Sequence, residues 1–147
     1  MYSLKEDFLK FQAKTNPYPL SLEIKKAKGS YITTTDGKKY LDFIAGVSAC
    51  SLGHRHPKVT SAIKNQLKKY MHVMVYGEFV QQPQTKLAKL LSEILPKSLS
   101  CSYFVNSGTE AIEGALKLAK RYTGKSKIIS FEKSYHGSTA GSLSIMG

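Results

Sequence analysis

Cysteine is scarce in this chain. Cys50 and Cys101 are its two thiols in 147 residues. They form neither a CxxC pair nor a framework, which excludes a disulfide-stapled fold and suits a reducing cytosol. No apolar run reaches the ~20 residues of a membrane span. The opening stretch, MYSLKEDFLKFQAK, mixes acids and bases and lacks the apolar centre of a signal peptide. Internal repeats and low-complexity segments are absent, so solenoid and filament architectures drop out. Acidic residues are also few: ten Asp and Glu stand against 22 Lys and Arg, a formal net charge of +12.

That imbalance favours anionic partners, yet it has no focus. The cations fall in separate groups: Lys25, Lys26 and Lys28; Lys38 and Lys39; Lys68 and Lys69; Lys117, Lys120 and Arg121. Scattered lysines give a generally anion-attracting surface rather than a nucleic-acid groove. The HxH of His54 and His56 lies near Cys50 but lacks a further spaced ligand pair, so no metal is expected. With 41% hydrophobic and 22% charged residues, what remains is a folded soluble chain of about one domain.

The spacing of Leu4, Phe8 and Phe11 predicts an amphipathic helix over residues 4–14, stopped by Pro17 and Pro19. Between Leu22 and Phe43, β-branched and aromatic residues are split by Gly29 and by Asp36–Gly37. That pattern predicts a small antiparallel sheet with a hairpin at Asp-Gly. Pro57 opens a helix with Val59, Ile63, Leu67 and Tyr70 on its apolar stripe. Residues 71–79, MHVMVYGEF, read as either strand or loop. A third helix runs from Pro83 to Leu95, with Leu87, Leu90, Leu91 and Ile94 inward. CSYFV (101–105) and KIISF (127–131) read as strands around a helix from Thr109 to Tyr122, and one more helix begins near the end. Cys101 is expected buried, and Asp36 and Asp42 are expected in turns or at the surface. The alternation of helix and strand predicts an α/β parallel sheet with right-handed crossovers. Residues 1–56 form an N-terminal segment in this reading. Residues 57–147 begin a larger α/β domain with too few strands to be finished.

The most informative stretch is FVNSGTEAIEGALKLAKRY, from Phe104 to Tyr122. Glu110 and Glu113 stand near the positive end of the helix dipole, and Lys117, Lys120 and Arg121 near the negative end. Glu113 and Lys117 have the favourable i,i+4 order. Ser107 or Thr109 can cap the helix, and Gly124 can end it in a left-handed cap. These features make a sound helix with or without a ligand. A strand running through a glycine loop into a helix also gathers free N–H groups, which suit a phosphate. Gly108 allows close backbone approach, and Ser107 and Thr109 add hydroxyls. The TGKS of residues 123–126 is not a P-loop: Ala119 replaces the first glycine, and a helix precedes it where a strand should. The loop SYHGST, Ser134–Thr139, leaves the next strand on the same sheet edge. It brings Tyr135 and His136 towards the phosphate site, an arrangement suited to a flat phosphorylated ligand.

Three segments in order resemble the class III aminotransferases, which use pyridoxal phosphate on the fold-type-I scaffold. They are DGKKYLDFIAGVSACSLGHRHP, NSGTEAIEGALKLAKRY and SFEKSYHGST. The resemblance implies that Ser107, Gly108 and Thr109 bind the cofactor phosphate. It implies that Tyr135 stacks on the pyridine ring and that His136 lies beside it. Val47, Ser48 and Tyr76 match substrate-pocket positions. Ser138 departs from many ornithine and acetylornithine members, which carry an arginine there.

It further implies amino transfer between an amino acid or amine and a 2-oxo acid, in a cytoplasmic homodimer without nucleic-acid or membrane partners. The Schiff-base lysine and the acid facing the pyridine nitrogen are expected beyond Gly147. This chain alone is therefore expected to hold half a cofactor cradle, with little transaminase activity. The competing readings are a basic α/β module that binds polyanions without catalysis, and another reaction of the same cofactor, such as racemisation or an aminomutase step.

Overall fold

The computed structural model describes residues 3–74 and 77–147. Val75 and Tyr76 fall outside the described residues, so the pocket position expected of Tyr76 does too. The chain divides into two units, Met1–Val73 and Met74–Gly147.

The first unit opens with helix α1, Leu4–Phe11. Its start is a capping box: Ser3 Oγ accepts from the Glu6 N–H, and the Glu6 carboxylate accepts from the Ser3 N–H. The helix stops before residue 14 because Gln12 is already extended, at φ −99° and ψ 133°. Strands β1 (Ile24–Lys28), β2 (Tyr31–Thr34) and β3 (Lys39–Leu41) form an antiparallel sheet in that order. Lys28 pairs with Tyr31, so Gly29 and Ser30 make the tight turn, and Gly29 takes φ 58°. The second hairpin turns at Asp36–Gly37, as its sequence requires, with Gly37 at φ 85°. There the Asp36 carboxylate accepts from the Thr34 hydroxyl and pairs with Lys38 Nζ at 3.1 Å. Those two partners hold its pKa down to about 2. Helix α2, Pro57–Leu67, begins at the proline.

In the second unit, α3 spans Gln82–Ile94, α4 Gly108–Thr123 and α5 Ala140–Leu143. Gly124 ends α4 at φ 68°, with its N–H on the Lys120 carbonyl, which accounts for the glycine of TGKS as a helix cap. Residues 101–105 and 127–131 carry no strand pairing among the described residues. Both were expected as parallel strands. Such a strand exists only beside a hydrogen-bonded neighbour about 4.8 Å away, and neither segment has one. Cys101 is correspondingly exposed rather than buried.

The expected apolar stripes are present, with Tyr70 and Leu91 half-buried and the rest exposed. Val59, Ile63 and Leu67 of α2, and Leu87, Leu90 and Ile94 of α3, are exposed, and no hydrophobic side chain is buried among the described residues. The inward orientation expected for these stripes is therefore not observed. Among the described residues, no helix is long and apolar enough to cross a membrane.

Candidate functional site: the mouth of helix α4

Ser107 is the N-cap of α4, in extended geometry at φ −149° and ψ 161°. Its Oγ accepts from the Glu110 N–H at 3.3 Å, and its carbonyl accepts from the Ala111 N–H at 3.1 Å. Glu110 folds back to accept the Asn106 N–H at 2.7 Å. These bonds settle the cap on Ser107, not Thr109, and leave the Ser107 hydroxyl proton free to donate. The N–H groups of Gly108 and Thr109 donate to no acceptor among the described residues. They are the first two orphan donors of the helix, at the positive end of its dipole. A Cβ placed on Gly108 would meet nothing within 4 Å. The mouth therefore offers two amides and one hydroxyl that donate to no acceptor among the described residues, a donor set that fits a phosphate ester.

The loop carrying Tyr135 and His136 lies against this mouth. Gly137, buried at φ 118°, sits so close to Thr109 that a Cβ there would overlap the threonine side chain. The Thr109 hydroxyl lies 2.7 Å from Thr139 Oγ1 and 2.6 Å from Ser142 Oγ. Thr139 Oγ1 in turn donates to Glu113 Oε1 at 2.7 Å. With Thr139 donating to Glu113 and Ser142 Oγ donating to the Thr139 carbonyl at 3.1 Å, the Thr109 hydroxyl has an acceptor in Thr139 Oγ1 or Ser142 Oγ. The Thr109 proton is then spent inside the protein. A phosphate would be held by the Thr109 N–H, not by the hydroxyl that the sequence offered. Tyr135 is 75% exposed, leaving its ring available, while His136 is half-buried.

Glu113 was expected to pair with Lys117, but no such ion pair forms among the described residues. Its carboxylate instead accepts from Thr139 Oγ1, the Gly141 N–H at 2.8 Å and the Ser142 N–H at 3.2 Å. These bonds, led by that of Thr139, hold its pKa below the ordinary glutamate value.

Val47 and Ser48 belong to the first unit and sit in an unusual turn. Ala45, Gly46, Val47 and Ser48 are all left-handed, at φ 48°, 62°, 57° and 67°. For the three non-glycine residues this costs roughly 1–2 kcal/mol each, and β-branched Val47 is the least suited to it. Asp42 holds the turn in place. Its Oδ1 accepts the Ile44 and Ala45 N–H groups at 3.0 Å each, and its Oδ2 accepts from His54 Nε2 at 2.7 Å. His54 is itself fixed by a two-way backbone bridge to Gly29, at 2.9 and 2.8 Å. Asp42 was expected at the surface, yet its side chain is only 7% exposed. The bond from the Ile44 N–H, two residues on, makes this an Asx turn.

The Ala45 amide, then His54, lowers the Asp42 pKa below its ordinary value of 3.8. A group depressed in this way stabilises the fold above the ordinary value, and the contribution is lost as pH falls through the lowered one. The Ser48 and Cys50 amides, bonded to Ile44 and Ala45 within this turn, should thus keep constant exchange protection from pH 7 to pH 5. Protection should fall only below about pH 3.8. In Asp42→Ala, these amides should exchange at least about tenfold faster at neutral pH, since two amide bonds to a carboxylate are lost.

A helix mouth with two free amides and a hydroxyl is the site these features define. The family model described as aminotransferase class-III matches residues 11–147. The chain belongs to the class III aminotransferase family. It is 45% identical over 132 residues to the acetylornithine aminotransferase of Listeria innocua, covering 90% of this chain and 33% of that protein. To the acetylornithine aminotransferase of Bacillus subtilis it is 44% identical over 128 residues, covering 86% and 32%. Among solved structures, it matches the adenosylmethionine-8-amino-7-oxononanoate aminotransferase of Methanocaldococcus jannaschii with a TM-score of 0.88 and 32% identity. That match covers 98% of this chain and 35% of the other. An omega transaminase of Pseudomonas jessenii, a 6-fold mutant, also reaches a TM-score of 0.88, at 28% identity and with 99% and 35% covered. The chain thus spans about a third of the length of these relatives.

Proposed function

We propose that this chain supplies the phosphate- and ring-binding part of a pyridoxal-phosphate aminotransferase. The enzyme moves an amino group between an amino acid or amine and a 2-oxo acid. One observation carries the reading: the amides of Gly108 and Thr109 donate to no acceptor among the described residues, and Gly137 of the Tyr135 loop is pressed against Thr109. Ser107, Gly108 and Thr109 would hold the phosphate, Tyr135 the ring face, and His136 the ring's edge. Once bound, pyridoxal phosphate supplies an electron sink for the carbon bearing the amino group. By the family resemblance, Val47 and Ser48 would contribute to substrate binding.

The relatives named above make N-acetylornithine the first donor to assay. Ser138, exposed in the second unit, offers no guanidinium for its carboxylate, so that grip is assigned to another residue. A cytoplasmic homodimer is part of the same proposal, supported by the family and by cysteine usage; sedimentation of the intact protein tests the dimer.

The experiment for the cofactor reading is titration of the intact protein with pyridoxal phosphate, followed by absorbance. Tyr135→Ala should raise the dissociation constant about tenfold through lost stacking, with the melting temperature unchanged. An unfolded product would give Tyr135 a structural role instead. Failure of the unaltered protein to bind would remove the reading.

A further inference from the structure

The cofactor reading explains Ser107–Thr109 and Tyr135–His136 but leaves Glu113 unused. Glu113 is in the second turn of α4, a full turn away from the free amides. On a helix with 22 Lys and Arg in the whole chain to choose from, its carboxylate is not spent on a cation. It is spent on Thr139, Gly141 and Ser142, across a sequence separation of 26 to 29 residues. Those residues are the end of the Tyr135 loop and the start of α5. The backbone there has been brought close enough that a Cβ on Gly141 would overlap the Glu113 carboxylate. Ser142 is fully buried beneath the junction, and the Thr109 hydroxyl joins the same chain of bonds.

We infer that Glu113 is a positioning residue for the cofactor site. It clamps the far end of the Tyr135–Thr139 loop onto α4, so that Tyr135 is held at a fixed height over the free amides of Gly108 and Thr109. The inference rests on the cofactor reading for its functional part, while the clamp itself is a statement about the loop. Two residues of one helix fix the loop: Thr109, packed on Gly137 and bonded through its hydroxyl to Thr139 and Ser142, and Glu113, bonded to Thr139, Gly141 and Ser142. Removing Glu113 takes away its three bonds and leaves the loop held at Thr109 alone, while the Tyr135 side chain makes no hydrogen bond among the described residues.

The test uses Glu113→Ala and Glu113→Gln in the intact protein. Glutamine keeps an acceptor oxygen for Thr139 and the two amides, so it should rescue what alanine loses. The first readout is amide exchange across residues 134–142. It should speed up at least about tenfold in Glu113→Ala and stay within about twofold in Glu113→Gln, with β1–β3 unchanged in both. The second readout is the dissociation constant for pyridoxal phosphate. Glu113→Ala should raise it about tenfold. In a Tyr135→Ala background the same substitution should change it less than about twofold, because the clamp acts through that ring.

Unchanged exchange in Glu113→Ala would overturn the clamp. Equal losses of affinity with and without Tyr135 would reduce Glu113 to general stability and overturn its positioning role, as would faster exchange with unchanged affinity. If the unaltered protein fails to bind the cofactor while Glu113→Ala still frees the loop, the cofactor reading falls and with it the positioning role, and the clamp alone stands.

Discussion

Replacing Gly108 with valine is expected to raise the dissociation constant for pyridoxal phosphate about a hundredfold and to leave the melting temperature nearly unchanged. Both halves follow from the same geometry. The Cβ of a residue at position 108 meets no atom within 4 Å beyond its chain neighbours and the adjacent helix backbone, so the fold loses little. Gly108 also lacks a positive φ, so valine meets no left-handed strain. In the proposed site, a phosphate bound to the Gly108 and Thr109 amides would lie close enough to this position for a branched side chain to crowd it. Two amide bonds to a charged phosphate, at ~1.5 kcal/mol each, amount to ~3 kcal/mol, or roughly two powers of ten in affinity. Binding titrations and a thermal melt on the same samples check it. A large fall in melting temperature would mean the position is structural; unchanged affinity would mean the mouth is not the phosphate site.

Gly137→Ala should behave in the opposite way, losing stability and cofactor together. At φ 118° an alanine is strained, at a cost of about 1–3 kcal/mol. Its Cβ would also overlap Thr109, which cannot retreat because its hydroxyl is bonded to Thr139 and Ser142. The loop must lift away from α4, taking Tyr135 with it. The expected result is a melting temperature lower by several degrees and a dissociation constant raised more than about tenfold. An unchanged melt with unchanged affinity would show that the loop does not rest on Thr109 in solution.

The contrast between these two glycines also shows what the sequence could disclose. The start of α4 was legible because its causes are local. Ser107, Glu110, Gly124 and the order of charges act within a few residues, and the structure returns the same helix within a residue at each end. The Asp36–Gly37 hairpin and the Pro57 helix start were legible for the same reason. The resemblance of NSGTEAIEGALKLAKRY and SFEKSYHGST to class III enzymes then named the family, and the family model agrees.

Contacts that join distant residues were not legible. Asp42 and His54 are 12 residues apart, and Glu113 and Thr139 are 26 apart, so neither pair leaves a helical or strand period to read. Glu113 was misassigned because a favourable i,i+4 partner, Lys117, stood in plain view. An exposed pair of that kind is worth only ~0.3–0.5 kcal/mol, whereas two backbone amides and a hydroxyl converge on the same carboxylate from α5. The segments 101–105 and 127–131 carry strand-like residues, but a strand is made by its neighbour, and sequence does not show the neighbour. The left-handed turn at Ala45–Ser48 was likewise hidden. Valine and serine do not advertise it, and Asp42 imposes it from outside the turn.

The central claim is that the amides at the mouth of α4 receive a phosphate. The most direct measurement is the amide chemical shift of Gly108 and Thr109 in ¹⁵N-labelled intact protein, titrated with pyridoxal phosphate and, separately, with pyridoxal. The account predicts large downfield proton shifts at these two residues with the phosphate ester and little change with the unphosphorylated aldehyde. Equal responses to both compounds, or shifts confined to other amides, would contradict it.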